Sequence, residues 1–311
     1  MSDRTGIATQ FGLKLESAVG TVVTPDTFLP IISEDVKRAE AFTEQKAIRA
    51  NRRVLTSNEW NSGNVTVAGP IQLELVTASL RPLLTLMFGA ETGSGPYTYR
   101  PGDLFGKAAT MQVGRPDVGG TVRPFTWGGV KINSWEIGCA AGEIATLGLD
   151  VQSCLVDEDT SVTALAATSY DSLLKPLKFS GASVTVASSA VSVTDMKIKG
   201  DLKLGYKWFV GSQFPKEPRQ TDRALFTGEL KAEFESLTAY NRYIAHTESA
   251  LVMTFSGANS ASLVITCRVR WDPMTPGVKG RDVVELAMPF TCVSNDANDY
   301  TAIQAVYTVP S

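Results

Sequence analysis

The chain has 311 residues, 43% hydrophobic and 20% charged, the make-up of an ordinary globular protein long enough for two domains with substantial cores. Its 29 Lys and Arg against 32 Asp and Glu leave a net charge of -3, a poor balance for gripping nucleic acid through its phosphates. No run approaches the roughly 18 apolar residues of a membrane helix, and the opening MSDRTGIATQFG lacks the charged start and apolar core of a secretory signal.

Residues 1–30 alternate turn residues with short apolar runs, with a turn at Thr24-Pro25-Asp26, and read as an N-terminal arm. Such an arm docks on a neighbouring subunit or decorates the edge of its own domain, and both readings stand. A first β domain over 31–156 opens on an extended strand and a polar excursion from Lys37 to Gly63, made basic by Arg49, Arg52 and Arg53. An excursion of that length is an interface or a solvated loop. The segment VTVAGPIQLEL that follows alternates apolar and polar residues and predicts a strand. A helix comes next, with Ser79 as its cap, Pro82 in its first turn, Gly89 closing it, and Leu80, Leu83, Leu84, Met87 and Phe88 on its buried face. GAETGSG reads as a loop, and then YTYR, ATMQVG, TVRPFTW, VKINSWEIG and EIATLGLDVQSCLV read as strands, with Trp127 and Trp135 in the core. Residues 157–175 break the rhythm and connect the halves.

A second β domain over 176–311 starts with a hairpin series through VTDMKIKGDLKLGYKW and a second excursion, VGSQFPKEPRQTDRA. Ser236 is placed to cap a helix that buries Leu237, Tyr240, Tyr243 and Ile244. Four further strands, LVMTFSG, ASLVITCRVRW, RDVVELAMPFTCVS and YTAIQAVYTV, end the chain. The halves repeat one order: extended strand, excursion, glycine-opened strand, helix. Laying Asp35-Val36-Lys37 on Asp195-Met196-Lys197 and Gly69 on Gly228 gives a shift of about 160 residues, a tandem duplication and not a solenoid repeat. Alternating strands also resemble one another by period alone.

Material for catalysis is thin. The single histidine, His246, sits in the second helix as a surface or packing residue, and no nucleophile elbow accompanies it. Cys139, Cys154, Cys267 and Cys292 form no metal spacing and read as small apolar strand residues, a disulfide being the minority alternative. The carboxylates at Asp157-Glu158-Asp159 and in NDAND (Asn295 to Asp299) do not fit a calcium loop. The reading is therefore no enzyme, no cofactor and no metal.

Several stretches resemble a known family. FGLKLESAVGT, with Gly12, Glu16, Gly20 and Thr21, FLPIISEDVKR, PLKFSGASVTV with VTDMKIKGDLKLGYK, and TGELKAEFE with its helix are similar to the major tail tube proteins of long, noncontractile-tailed bacteriophages, in the larger-subunit group. The match departs at Gly200-Asp201, where an Asn-rich strand is expected. The resemblance implies a mainly β fold of two tandem tail-tube β-sandwich domains, each with one short flanking helix, whose sheets join a continuous inner barrel when rings assemble. It implies a structural virion protein that conducts viral DNA into a bacterium, works in the virion tail and is assembled in the host cytoplasm. Its partners would be copies of itself in trimeric, pseudo-hexameric rings (hexamers as the alternative), tape measure, tail terminator and distal tail proteins, and DNA passing without specific binding. Candidates for contacts between subunits or rings are Glu16, Arg38, Arg49, Arg52, Arg53, Lys216 and Arg219. Candidates for the strands lining the lumen are Asp35, Lys37, Glu40, Glu44, Asp195, Lys197, Lys199, Asp201 and Lys203, with the inward parity open. A β-sandwich binding or decoration module, and the tube of a contractile tail or secretion system, are the competing readings.

Overall fold

The computed structural model describes residues 6–158, 164–277, 284–295 and 299–311. Its principal strands are β1 (Gln10–Leu15), β2 (Lys37–Glu44), β3 (Trp60–Glu74), β4 (Tyr97–Pro101), β5 (Ala109–Pro116), β6 (Val122–Ala140), β7 (Thr146–Ser153), β8 (Val193–Asp201), β9 (Leu225–Glu233), β10 (Ser249–Ser256), β11 (Ser262–Trp271), β12 (Glu285–Cys292) and β13 (Ile303–Thr308). Two α-helices, α1 (Arg81–Phe88) and α2 (Thr238–Ile244), accompany them among the described residues. The fold is mainly β, as the alternation of the sequence predicts.

One antiparallel sheet carries the architecture, in the spatial order β2–β3–β7–β6–β8–β9–β12. The halves meet inside it, because β6 and β8 pair from Ser134↔Asp201 to Ala140↔Asp195. A second seam lies at the other end of the fold. There β12 takes β11 from Val269↔Cys292 to Trp271↔Phe290, β11 pairs with β10 and β13, and β13 returns to β4 of the first half at Tyr307↔Tyr97. Alternation sends one residue in two to a shared core in which Leu73, Ile137, Ile198, Leu230 and Ile265 are all at most 1% exposed. Trp127 and Trp135 are buried in it, as expected.

The two halves share an order of elements and a sheet register. With Gly69 laid on Gly228, the β3–β7 pairs Glu74↔Thr146 and Val67↔Ser153 fall on the β9–β12 pairs Glu233↔Glu285 and, one step past Thr227↔Thr291, Phe226 beside Cys292. The β2 and β8 strands fit with a two-residue slip, so that Lys199 and not Lys197 takes the position of Lys37. Both glycines allow a backbone crossing. A Cβ on Gly69 would lie 2.2 Å from the Asp35 carbonyl oxygen, and one on Gly228 would lie 2.3 Å from that of Lys197 and 2.3 Å from the Phe290 ring. Gly228→Ala is therefore expected to cost about 2–3 kcal/mol through forced displacement of β8 or Phe290. The midpoint of urea unfolding reads this, and an unchanged midpoint would show that the strands can part at no cost.

Several local expectations are corrected. Leu80, not Ser79, is the residue at the start of α1. Ser79 has a left-handed backbone (φ 66°) and no side chain caps the helix. The helix instead relies on the burial of Leu83, Leu84, Leu86, Met87 and Phe88, with Pro82 in its first turn and Gly89 (φ 86°) closing it as predicted. In α2, Leu237 occupies the cap position, and Ser236 Oγ accepts from Thr238 N at 3.3 Å in a turn outside the helix. The apolar face expected of α2 is not buried: Leu237 is 57% and Ile244 55% exposed, Tyr240 is half-buried, and only Ala239 and Tyr243 lean on the core. His246 lies beyond that helix, exposed. GAETGSG is a strand as far as Thr92, since Gly89–Thr92 pairs with β4. TVRPFTW and VKINSWEIG are one strand, β6, with Gly129 at φ 63°. Lys37–Glu44 leaves the first excursion to become β2, which narrows the irregular part to 45–59. Leu155–Glu158 still pairs with β6, so the connection starts later than 157.

Candidate functional site

The feature that stands out is the outer face of the central sheet. Each strand turns its odd or even set to the core and the other set outward, and paired residues share a side. The outward set comprises Thr66, Ala68, Gln72 and Glu74 on β3, Thr146, Gly148, Asp150 and Gln152 on β7, and Ser134, Glu136, Gly138 and Ala140 on β6. It continues with Asp195, Lys197, Lys199 and Asp201 on β8, Thr227, Glu229, Lys231 and Glu233 on β9, and Glu285, Ala287 and Thr291 on β12. Pro70, Pro289 and, at the end of β9 opposite Asp201, the 45% exposed Leu225 share this side, so it is predominantly polar. The face is built to remain wet while its reverse is packed.

Its charge is one-sided. Eight carboxylates (Glu74, Glu136, Asp150, Asp195, Asp201, Glu229, Glu233, Glu285) stand with three ammonium groups (Lys197, Lys199, Lys231), a surplus of five negative charges in a chain whose total is -3. The lysines are flanked by acids. Lys199 lies opposite Glu136, Lys197 opposite Glu229, and Lys231 binds Asp195 at 2.9 Å. That bond to Asp195 raises the pKa of Lys231 above its ordinary value, so the ammonium stays charged and paired. A polyanion at this face meets one lysine held in an ion pair, two with acids directly across from them, and carboxylates in excess.

The structure distributes the expected lumen residues unevenly. Asp195, Lys197, Lys199 and Asp201 share the outward face, and Asp35 and Lys37 pair with each other at 2.7 Å at its margin, Lys37 lying opposite the outward Ala68. Glu40 is on the other side of β2, opposite the buried Val65, where it meets Arg38 at 3.1 Å. Glu44 lies past a register slip, opposite Trp60 in a projecting ribbon. Lys203 has turned out of β8 (φ 53°) and returns its ammonium to Asp201 at 2.6 Å. Glu136, Asp150, Glu229, Glu233 and Glu285 belong to the same face and escaped sequence reasoning.

The candidate contact residues also divide. Glu16 is buried at 8% exposure inside its own chain, accepting from Gly20 N at 2.7 Å, Thr110 Oγ1 at 2.8 Å and Gly129 N at 2.8 Å. It satisfies three donors of its own domain. Around it, β1 pairs with β5 from Gln10↔Gly114 to Leu15↔Ala109 and with Thr27–Phe28 on its other side, and buries Phe11 and Leu13, so this part of the arm is a paired strand of its own fold. Lys216 lies 4.7 Å from the centre of the Phe209 ring and Arg219 5.0 Å from that of Phe105, both engaged internally. Arg49 reaches Glu59 at 3.4 Å, while Arg52 and Arg53 are exposed on 45–59. Ile48 (99%), Val54 (78%) and Leu55 (49%) are exposed beside them.

Burial pushes the thiols of Cys139 and Cys154 up, the latter to about 11 with the Glu16 carboxylate nearby, and raises that of Cys267 beside Cys292. All four cysteines are free thiols. Among the described residues no cluster of three or more His, Cys, Asp or Glu side chains could hold a metal, and no helix is long and apolar enough to cross a membrane. The two carboxylate runs fall partly outside the described residues.

The sheet is apolar on one side, wet and acidic on the other, and is bounded by β2 as an outer strand, the features of a structural scaffold. The family is given by comparison with protein-family models: residues 6–292 match the phage tail tube protein model, and the chain belongs to that family. It is a structural component of a phage tail, and the family implies self-assembly into a tube alongside other tail proteins. No curated protein matches the chain.

Proposed function

We propose that this chain is the major tail tube subunit of a long, noncontractile phage tail, and that its halves, 31–156 and 176–311, are two copies of one tube unit. Three chains then make a pseudo-sixfold ring, and rings stack heterologously into a filament. The sheets of neighbouring chains join into an inner barrel, and the outward face described above lines the channel through which DNA passes into the host. The observation that carries the reading is the acidic surplus on that face. Lysines in excess would release counterions and hold the DNA, whereas on this face each lysine stands beside or opposite a carboxylate and the carboxylates outnumber them. Tape measure, tail terminator and distal tail proteins are the partners the reading calls for, in a virion tail assembled in the host cytoplasm.

Electron microscopy of the purified, concentrated protein tests this. Hollow tubes wide enough for a DNA duplex, with three chains per ring in end-on averages, are expected. Six chains per ring would keep the conduit and overturn the duplication, and a contracted sheath on tails carrying this chain would assign it to a contractile tail.

A further inference from the structure

Besides the two strand seams, the halves of this chain touch through a third contact, and one side of its counterpart is empty among the described residues. The chain from Tyr206 into the second excursion leaves its own half and lies along β3 beyond the point where β7 ends. The Tyr206 hydroxyl donates to the Val67 carbonyl, Trp208 Nε1 donates to that of Val65 at 3.4 Å, and Val65 N donates to Gln213 O at 2.9 Å. Farther along, Glu217 accepts from Gly106 N at 2.6 Å and meets the buried ammonium of Lys131. The second excursion thereby fills the site at the end of β3 and β7.

The same position in the second half is the end of β9 and β12, by the register that lays Val67 and Ser153 on Phe226 and Cys292. No part of the described chain fills it. A groove of about 1040 Å³ opens there, with Phe88, Leu104 and Phe226 among its apolar walls and Asp103, Asp222 and Asp299 at its rim alongside Arg223. The first excursion, 45–59, is the segment without a seat: it holds out Ile48, Val54 and Leu55 together with Lys46, Arg49, Arg52 and Arg53. Four cations on the excursion complement a predominantly polar groove that carries three carboxylates, and the exposed Ile48, Val54 and Leu55 would gain cover on docking there.

We propose that residues 45–59 of a second copy of this chain occupy the groove at the end of β9 and β12, repeating between chains the contact that 206–217 makes within one. The contact is heterologous, so each copy gives an excursion and receives one, and a closed ring leaves no groove empty. The proposal rests on the self-assembling reading above and adds to it a donor segment, an acceptor groove and their polarity.

Cross-linking tests it on the full chain. Tyr206 sits by Val67, so its counterpart by the two-residue slip, Glu44, comes to rest by Phe226 and Cys292, and Lys46 follows two residues farther on. A Lys46→Cys variant, altered at an exposed loop position, is treated with a short bismaleimide under conditions where light scattering reports assembly. Covalent species at multiples of the chain mass are expected, and they are expected to vanish when Cys292→Ser is added to Lys46→Cys. Multimers that survive Cys292→Ser, or assemblies in which no multimer forms, would overturn the docking while leaving the tube reading intact. A chain that scatters as a monomer at every concentration would count against both.

Discussion

Replacing Glu217 by alanine is expected to lower the stability of the isolated chain by about 3–5 kcal/mol, the usual cost of stripping a buried charge of its partner. Lys131 is 3% exposed and Glu217 12%. Without the carboxylate, the ammonium keeps the Leu104 carbonyl at 2.6 Å and little else, and Gly106 N loses its acceptor. The loss is not the net worth of the pair, because desolvating both ions offsets much of their attraction. A Lys131→Met, Glu217→Leu double variant is therefore expected to recover most of the stability. Urea unfolding of the three proteins measures both numbers. A single variant within about 1 kcal/mol of the parent would mean that water reaches Lys131, against the burial described.

The triple variant Glu136→Lys, Glu229→Lys, Glu233→Lys carries the outward face from five negative charges to one positive. Those positions lie on three sides of Lys197, Lys199 and Lys231, so the change also frees lysines now flanked by acids. Duplex DNA, ignored by the parent, is expected to bind. If about six phosphates are met, affinity should drop by about 10³-fold between ~50 and ~200 mM salt. Fluorescence anisotropy with a labelled duplex reads affinity and salt slope together, and microscopy checks that assembly survives. Parent protein that binds DNA as tightly as the variant would remove the argument that the acidity of this face keeps a duplex from sticking to it.

Much of the fold is legible in the sequence because strand alternation is local. The strand after Asn64, the α1 face from Leu80 to Phe88 and the buried Trp127 and Trp135 all follow from period and size. What fails locally fails for stated reasons. Ser79 and Ser236 have the right chemistry for caps, but each lies one residue too early, and helix ends are set by packing as much as by capping. The apolar residues of α2 have helical spacing, yet only Ala239 and Tyr243 meet the core while Leu237 and Ile244 stay exposed, a fact of tertiary structure that no period contains. Sheet order is also non-local. Nothing in β6 or β8 announces that they pair with each other and join the two halves.

The candidate site is half legible for the same reason. Alternation puts Asp195, Lys197, Lys199 and Asp201 on one side of a strand and leaves open which side is wet. The acidic surplus is spread thinly, at one or two carboxylates on each of several strands, from Glu74 to Glu285. It becomes a cluster only when β3, β7, β6, β8, β9 and β12 are laid side by side. A sequence search for charge runs finds instead the basic excursion, which lies elsewhere. Glu16 carries the opposite lesson: a polar residue in an expected arm is recruited inward by Gly20, Thr110 and Gly129, whose donors have no other use for their hydrogens.

The double seam between the halves has a mechanical meaning. A chain whose halves met only at β6 and β8 could hinge there, but β13 returns from the C-terminal end to β4 and fixes the halves a second time. Two lines of main-chain hydrogen bonds at separate places remove the swivel that either alone would allow. The subunit behaves as one stiff block. When a filament of such blocks curves, the strain collects in the joints between chains, and the pliancy of the whole is set by how those joints give.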